Sequence, residues 1–171
     1  MKKDLVLVES PAKSRTIGKI LGNDFIVLSS KGHVRALPSK AGSVDVEKGF
    51  KPHYQILPES KKYLKKIKEK LKECNTIYLA TDMDREGEAI AWHLVEALKL
   101  NKDKKSNNHQ IKRITFCEIT KDAIFDALKN PREISMSLVN AQQARVILDY
   151  LFGFNLSPFL WKKVKTGLSA G

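Results

Sequence analysis

Twice in this chain a short apolar run ends in a carboxylate and a helix begins at once. The first instance is Leu5-Val6-Leu7-Val8-Glu9-Ser10-Pro11, the second Ile77-Tyr78-Leu79-Ala80-Thr81-Asp82. A short continuous apolar run bounded by turn signals fits a strand buried on both faces. Strands of that kind belong to parallel sheets, where helices make the crossovers. Asp4–Val8 therefore reads as a buried strand, Ala12–Leu21 as a helix ended by Gly22, and Phe25–Leu28 as a second strand. Further along, Thr76–Ala80 reads as a strand, Glu86–Leu100 as a helix, and Ile114–Phe116 as a strand. Thr120 can cap a helix through Leu128, which Asn130-Pro131 terminates. The alternation predicts an α/β fold, a Rossmann-like parallel sheet with helices on both faces. Ser137–Phe152 is a further helix, after which strand character is lost, so a boundary is expected near Asn130–Glu133. That divides the chain into 1–130 and a partial, helical second domain over 131–171.

Between these elements lie stretches of other kinds. Ser29–Pro58 is rich in Gly, Pro, Ser and Lys and reads as a long surface loop, and Asn101–Gln110 as a polar, lysine-rich one. Lys61–Lys72 carries seven lysines and one acid, with Tyr63, Leu64, Ile67 and Leu71 at helical spacing. This is an amphipathic helix whose basic face is first of all a solvated one.

Charge narrows the partners. Lys and Arg number 31 against 19 Asp and Glu, a net charge of +12. Such a field suits polyanions: DNA, RNA or an anionic surface. No apolar run approaches the ~20 residues that span a bilayer. Cys74 and Cys117 show neither zinc spacing nor a disulfide pattern, so a reduced, cytoplasmic setting is the expectation.

Against that basic background, Asp82-Met83-Asp84-Arg85-Glu86-Gly87-Glu88 places four carboxylates within seven residues, where a buried strand gives way to a helix. In parallel sheets this edge is where ligands bind. Clustered carboxylates repel one another unless a cation neutralises them, and hard oxygen ligands suit Mg²⁺. First-turn acids also complement a helix dipole, which accounts for Glu86 and Glu88 well and for Asp82 poorly. If the two strands are neighbours, Glu9 faces the aspartates across one edge, and Lys13 lies near a helix N-terminus suited to phosphate.

Five segments then occur in order: Val8-Glu9-Ser10-Pro11-Ala12-Lys13-Ser14, Ser30-Lys31-Gly32-His33-Val34, the acidic motif, Asn140-Ala141-Gln142-Gln143-Ala144-Arg145, and Gly167-Leu168-Ser169-Ala170-Gly171. The acidic motif with the earlier glutamate resembles the Toprim domain, and all five together resemble the N-terminal part of bacterial type IA DNA topoisomerases. The resemblance implies relaxation of negatively supercoiled DNA without ATP, through a 5′-phosphotyrosine link and religation. It implies Mg²⁺ held by Glu9, Asp82, Asp84 and Glu86, with Glu9 and Lys13 as catalytic residues. It further implies a monomer associated with the nucleoid, with no membrane partner, contacting a single-stranded DNA segment through His33, Arg145, Val146, Tyr150, Lys162, Ser169 and Gly171.

Several of these residues have a plainer reading beside the implied one. His33 reads equally as a solvated loop histidine. The helix bearing Arg145, Asp149 and Tyr150 also reads as packing, with Leu138, Ile147 and Leu151 as core. Trp92 and Trp161 read as core. Arg85 either balances charge or holds a phosphate. The family's nucleophile lies in a Tyr-x-Arg-Thr-type context that Tyr54, Tyr63, Tyr78 and Tyr150 all lack, so a fragment without the nucleophile is expected. Two other readings are a Toprim nuclease or primase, which has no need of the Asn-Ala-Gln-Gln-Ala-Arg helix, and a non-catalytic nucleic-acid-binding module, which the acidic cluster disfavours.

Overall fold

A computed structural model describes residues 3–101, 109–168 and 170. The elements run β1 (Lys3–Val8), α1 (Pro11–Leu21), β2 (Phe25–Ser29), four two-residue strands β3 (Arg35–Ala36), β4 (Val44–Asp45), β5 (Lys51–Pro52) and β6 (Gln55–Ile56), then α2 (Lys61–Leu71) and β7 (Cys74–Leu79). They continue with α3 (Arg85–Leu98), β8 (Gln110–Arg113), α4 (Lys121–Lys129) and α5 (Met136–Lys163).

The main sheet has the order β2-β1-β7-β8, and every pairing in it is parallel. Side chains alternate across each strand, so one strand feeds two cores. Leu5, Leu7, Ile77 and Leu79 pack with α2 and α3 on one face. Val6, Val8, Tyr78 and Ala80 pack with α1 and α4 on the other. The continuous apolar runs of β1 and β7 are the direct result of this two-sided burial. From β1 the chain passes through α1 to β2 on one side, then returns to β7 on the other. The order therefore reverses between β1 and β7, and a crevice opens where their C-terminal ends diverge, with helices α1 and α3 leaving to opposite faces.

Several sequence expectations shift. The last strand is Gln110–Arg113, four residues earlier than Ile114–Phe116. Its partner β7 ends at Leu79, paired with Arg113, and the Ile114 N–H makes one more bond to the Leu79 carbonyl before the ladder runs out. The buried Ile114 belongs to the core just beyond the strand. Positions 102–108 of the expected Asn101–Gln110 loop lie outside the described residues. Ser29–Pro58 is more than a surface loop: β3 pairs with β6 and β4 with β5, both antiparallel, while Ser30, Val34, Ser43 and Val44 are buried. The last helix continues past Phe152 to Lys163 with Pro158 inside it. A proline removes one helical hydrogen bond, but the flanking turns retain theirs.

Helix α5 packs on α3 and buries Val139, Gln142 and Ser157. Leu138 is exposed, and Ile147 and Leu151 are only half-buried, so these three do not form the expected core face. Before α5, Arg132 joins the free edge of β8 through paired backbone bonds, Arg113 N–H to the Arg132 carbonyl at 3.0 Å and the reverse at 2.7 Å. This isolated bridge closes the C-terminal end of that edge.

The Thr120 hydroxyl accepts from the Ala123 N–H at 3.4 Å and caps α4, whose Ile124 and Ala127 are core residues. Thr120→Ala is expected to cost about 1 kcal/mol in urea unfolding, while Thr120→Asp retains the cap.

Candidate nucleic-acid and metal site

Two neighbouring features occupy the crevice: an acidic edge and a cleft. At the edge, the register pairing Leu7 with Leu79 brings Glu9 level with Thr81 two residues on. Ser10 caps α1 by accepting from the Lys13 N–H at 3.2 Å, and Pro11 stands in the first turn, where its missing N–H costs nothing. This fixes Lys13 one turn above the strand end. Its ammonium lies between two carboxylates, bonded to Oε1 of Glu9 and Oδ1 of Asp82. Burial works against the charged form, but the bonds to Asp82 and Glu9 outweigh it and raise the Lys13 pKa above its ordinary value. The Glu9 side chain is only 13% exposed, and its Oε2 has no hydrogen-bond partner among the described residues.

The other acids turn elsewhere. Asp84 is the N-cap of α3, its Oδ1 accepting from the Gly87 N–H at 2.7 Å. Glu86 faces the cleft, with Oε2 3.2 Å from Nε2 of His33 and 3.3 Å from the donating Nε2 of Gln142. Glu88 is fully buried and bound to Arg113 and Arg132. Among the described residues, no three His, Cys, Asp or Glu side chains converge as a metal site. The structure thus brings Glu9 and Asp82 together around Lys13, and leaves Asp84 and Glu86 in separate contacts. Arg85 is exposed at the start of α3. Even so, the edge fits a hard cation in two respects. Its donors are carboxylate oxygens, one of them bare, and a cationic group already sits between Glu9 and Asp82.

The cleft is a cavity of about 1040 Å³ between α5 and the β3 region, with His33, Glu86, Arg145, Val146, Asp149 and Tyr150 in its lining. Arg145, Val146, Asp149 and Tyr150 share one face of α5, as their spacing predicts. Arg145 pairs with Asp149 at 3.7 Å. The Tyr150 hydroxyl donates to the Lys40 carbonyl at 2.6 Å and accepts from the Ser43 N–H at 3.2 Å, and its ring stacks on Phe154. Lys162 is exposed near the end of α5 and does not line the cavity. Trp161 does line it and is 47% exposed, so it is not a core residue here; its Nε1–H donates to the Leu168 carbonyl at 2.6 Å. Ser169 and Gly171 lie outside the described residues.

Sequence reasoning passed over a second cluster in the same cleft. Arg35 lies over Tyr54 and Trp92, its guanidinium carbon 5.3 and 5.2 Å from their ring centroids. His93 packs edge-on against Tyr54 at 4.6 Å. Trp92 is therefore a half-buried platform for a cation rather than core. The Tyr54 hydroxyl, His93 Nδ1 and Gln142 Oε1 have no hydrogen-bond partner among the described residues. One available signal was that His93 follows Glu86 by seven residues, two turns on and so on the same helix face.

Gly87 is the other omission. A Cβ there would stand 2.1 Å from the Asp82 carbonyl oxygen and 2.7 Å from its backbone N and C. The acidic segment folds back onto the first turn of α3 only because that position has no side chain, and the Thr81 hydroxyl secures it by donating to the Gly87 carbonyl at 2.6 Å. Any larger residue must push the Asp82 backbone out of place.

The four-stranded parallel sheet, with a glutamate and an acidic segment at its reversal point, defines the class of this chain. It matches the Toprim domain over residues 4–119, and it belongs to that family. Its whole length is 55% identical over 174 residues to DNA topoisomerase 1 of Xylella fastidiosa (strain Temecula1), and 98% of it is 52% identical to DNA topoisomerase 1 of Rickettsia felis. The chain spans 21% of the length of each. Full-length topoisomerase I from Thermotoga maritima superposes on 98% of this chain with a TM-score of 0.84 at 46% identity, the match covering 27% of that structure. Among the described residues, no helix is long and apolar enough to cross a membrane.

Two outcomes are expected. Gly87→Ala should destabilise the fold by about 1–3 kcal/mol through overpacking and shift the amide resonances around Asp82, whereas Gly153→Ala, with open space around it, should not. Burial, then the charges of Arg35 and His33, lower the His93 pKa from 6.5 to about 3. The unfolded chain therefore takes up a proton that the folded one refuses. This contribution to stability is full above pH 6.5 and is lost progressively as pH falls toward about 3. Urea unfolding of His93→Gln should show a shallower loss between pH 7 and 4.

Proposed function

We propose that residues 1–171 supply the Toprim metal centre and part of the single-strand groove of a type IA DNA topoisomerase that relaxes negatively supercoiled DNA. One observation carries this reading: Glu9 and Asp82, at the ends of neighbouring parallel strands, share one cation beside a cleft that contains His33, Arg35 and Arg145. The names of the relatives and the net charge of +12 support DNA as the partner.

In this reading Mg²⁺ would be held by Glu9, Asp82, Asp84 and Glu86, and when bound it would supply charge stabilisation for the scissile phosphate. Lys13 is positioned by the α1 cap to contact that phosphate, and Glu9 to hold or accept a proton at its bare Oε2. The anionic backbone of the strand enters the cleft along α5, where Arg145 takes a phosphate and Val146 and Tyr150 line the surface that a base would meet. His33 approaches the strand from the side of Glu86. Lys162, Ser169 and Gly171 are assigned to the further course of the groove.

The nucleophile is assigned to none of the four tyrosines. Tyr54 lies in the ring cluster and Tyr78 in the core, Tyr63 is on α2, and the Tyr150 hydroxyl is held by Lys40 and Ser43. We assign residues 1–130 to the Toprim domain and 131–171 to the start of the next, DNA-binding one. The protein is read as a monomer of the cytoplasm and nucleoid.

The experiment has three arms. The purified 171-residue chain should not relax supercoiled plasmid in Mg²⁺. It should bind oligo(dT) weakly, with affinity falling steeply as salt rises. Millimolar Mg²⁺, a binding free energy on the order of −4 kcal/mol, should shift the amides of Asp82–Glu86, and Asp82→Asn with Asp84→Asn should abolish those shifts. Plasmid relaxation by the chain would mean that the nucleophile is misassigned. Salt-insensitive binding would remove the groove, and uniform or absent Mg²⁺ shifts would remove the metal centre.

A further inference from the structure

Glu88 and Arg113 are fully buried charges that belong to neither the acidic edge nor the lining of the cleft. Arg113 Nε donates to Glu88 Oε1 at 2.8 Å. The rest of the guanidinium is spent on backbone carbonyls: Nη1 donates to Leu79 at 3.0 Å, Thr81 at 2.8 Å and Ile114 at 2.6 Å, and Nη2 to Asp82 at 2.6 Å. Three of those four carbonyls belong to the strand end and loop that carry Asp82. The other side of the Glu88 carboxylate faces a different part of the chain. Arg132 Nη2 donates to Oε1, and the Ser135 N–H donates to Oε2 at 2.9 Å. Ser135 is the N-cap residue of α5, yet its own side chain makes no capping bond. Glu88 therefore provides both the acceptor and the negative charge that the start of a long helix requires.

We propose that Glu88 is a positioning residue that sets the acidic edge and α5 in one register, holding the first through Arg113 and the second through Arg132 and the Ser135 amide. The acidic edge and α5 flank the same crevice, so their relative placement fixes the distance between any group bound at Asp82 and a strand lying along Arg145. A side chain that merely filled the core would need neither charge nor contacts to both segments. An ion pair serving stability alone would have no need to put three of its bonds on the carbonyls of one strand end and the loop that follows it. The inference rests on these contacts and not on the identity of any bound metal or nucleic acid.

The test is amide hydrogen exchange in this chain, with neither metal nor DNA added, so that its failure and a failure of the proposed function are separate results. Glu88→Gln keeps the shape and removes the charge. It should speed exchange about tenfold at both Thr81–Gly87 and Ser135–Asn140, and leave β1 and β2 at their original rates. Should that variant not fold, Arg132→Gln carries the test, because Arg132 is 36% exposed and its hydrogen bonds among the described residues go to Glu88, Arg113 and Glu133, not to Thr81–Gly87. It should still speed exchange at Thr81–Gly87, and Arg132→Lys should restore both segments together. Faster exchange confined to the start of α5, a uniform rise across the sheet, or a lysine variant that restores one segment without the other would overturn the proposal.

Discussion

Arg113 lies beneath the acidic edge with no exposed surface, and a guanidinium so placed must direct its N–H groups at oxygens. It makes five such bonds, one to a carboxylate and four to carbonyls. Much else follows from this. The carboxylate has to be buried as well, so Glu88 takes an inward position on α3. Burial works against its ionised form, but bonds from Arg132, the Ser135 amide and Arg113 hold its pKa below the ordinary value. Removing one member of such a group leaves an uncompensated charge, at a cost of about 3–5 kcal/mol. Ends of parallel strands usually splay freely into loops. Here the end of β7 is held from below, and Asp82 can meet Lys13 and Glu9 at a defined place.

The two-layer α/β fold was legible because its signal is simple. The apolar runs of β1 and β7 are too continuous for a one-sided sheet, and each is followed by helix-start chemistry. Ser10 before Pro11, and Thr120 before α4, cap their helices as those residue types suggest. The misplaced third apolar run shows where the pattern fails. Ile114–Phe116 has the composition of a strand, but a strand also needs a partner of matching length, and β7 stops at Leu79. The Ser29–Pro58 stretch failed for a related reason. Its four two-residue strands are too short to show any period, and they form because distant segments meet. The apolar residues of α5 misled in another way, since hydrophobicity in a helix does not say which side finds a partner.

For the site, the sequence showed which residues gather but not what they touch. Glu9, Lys13 and Asp82 meet as strand adjacency requires. Asp84 and Glu86, drawn in sequence as companions of Asp82, make separate contacts, because a helix begins between them and rotates successive side chains by about 100°. Arg113 and Gly87 could have been noticed. An arginine at the end of a buried strand is anomalous, and a glycine in the first turn of a helix is a poor helix former unless space demands it. The Arg35–Tyr54–Trp92–His93 cluster joins three separate segments of the chain, and no local pattern announces it.

Helix α5 can be viewed as a beam. At 1.5 Å per residue its 28 residues extend about 42 Å. One support is Glu88 beneath Ser135, and a second is the Tyr150 hydroxyl clasped by Lys40 and Ser43, about 22 Å along. The remaining 13 residues, nearly half of the helix, extend beyond both supports, and they carry Phe152, Phe159 and Trp161 with about half of each surface bare. A beam on two supports resists tilt between them and amplifies any tilt beyond them. A tilt of about 10° about the Tyr150 support would carry Lys163, about 20 Å beyond it, sideways by about 3.4 Å, roughly the spacing of stacked bases. Any tilt passed along α5 from beneath the sheet edge would therefore be largest at its far end, where the exposed aromatic side chains lie.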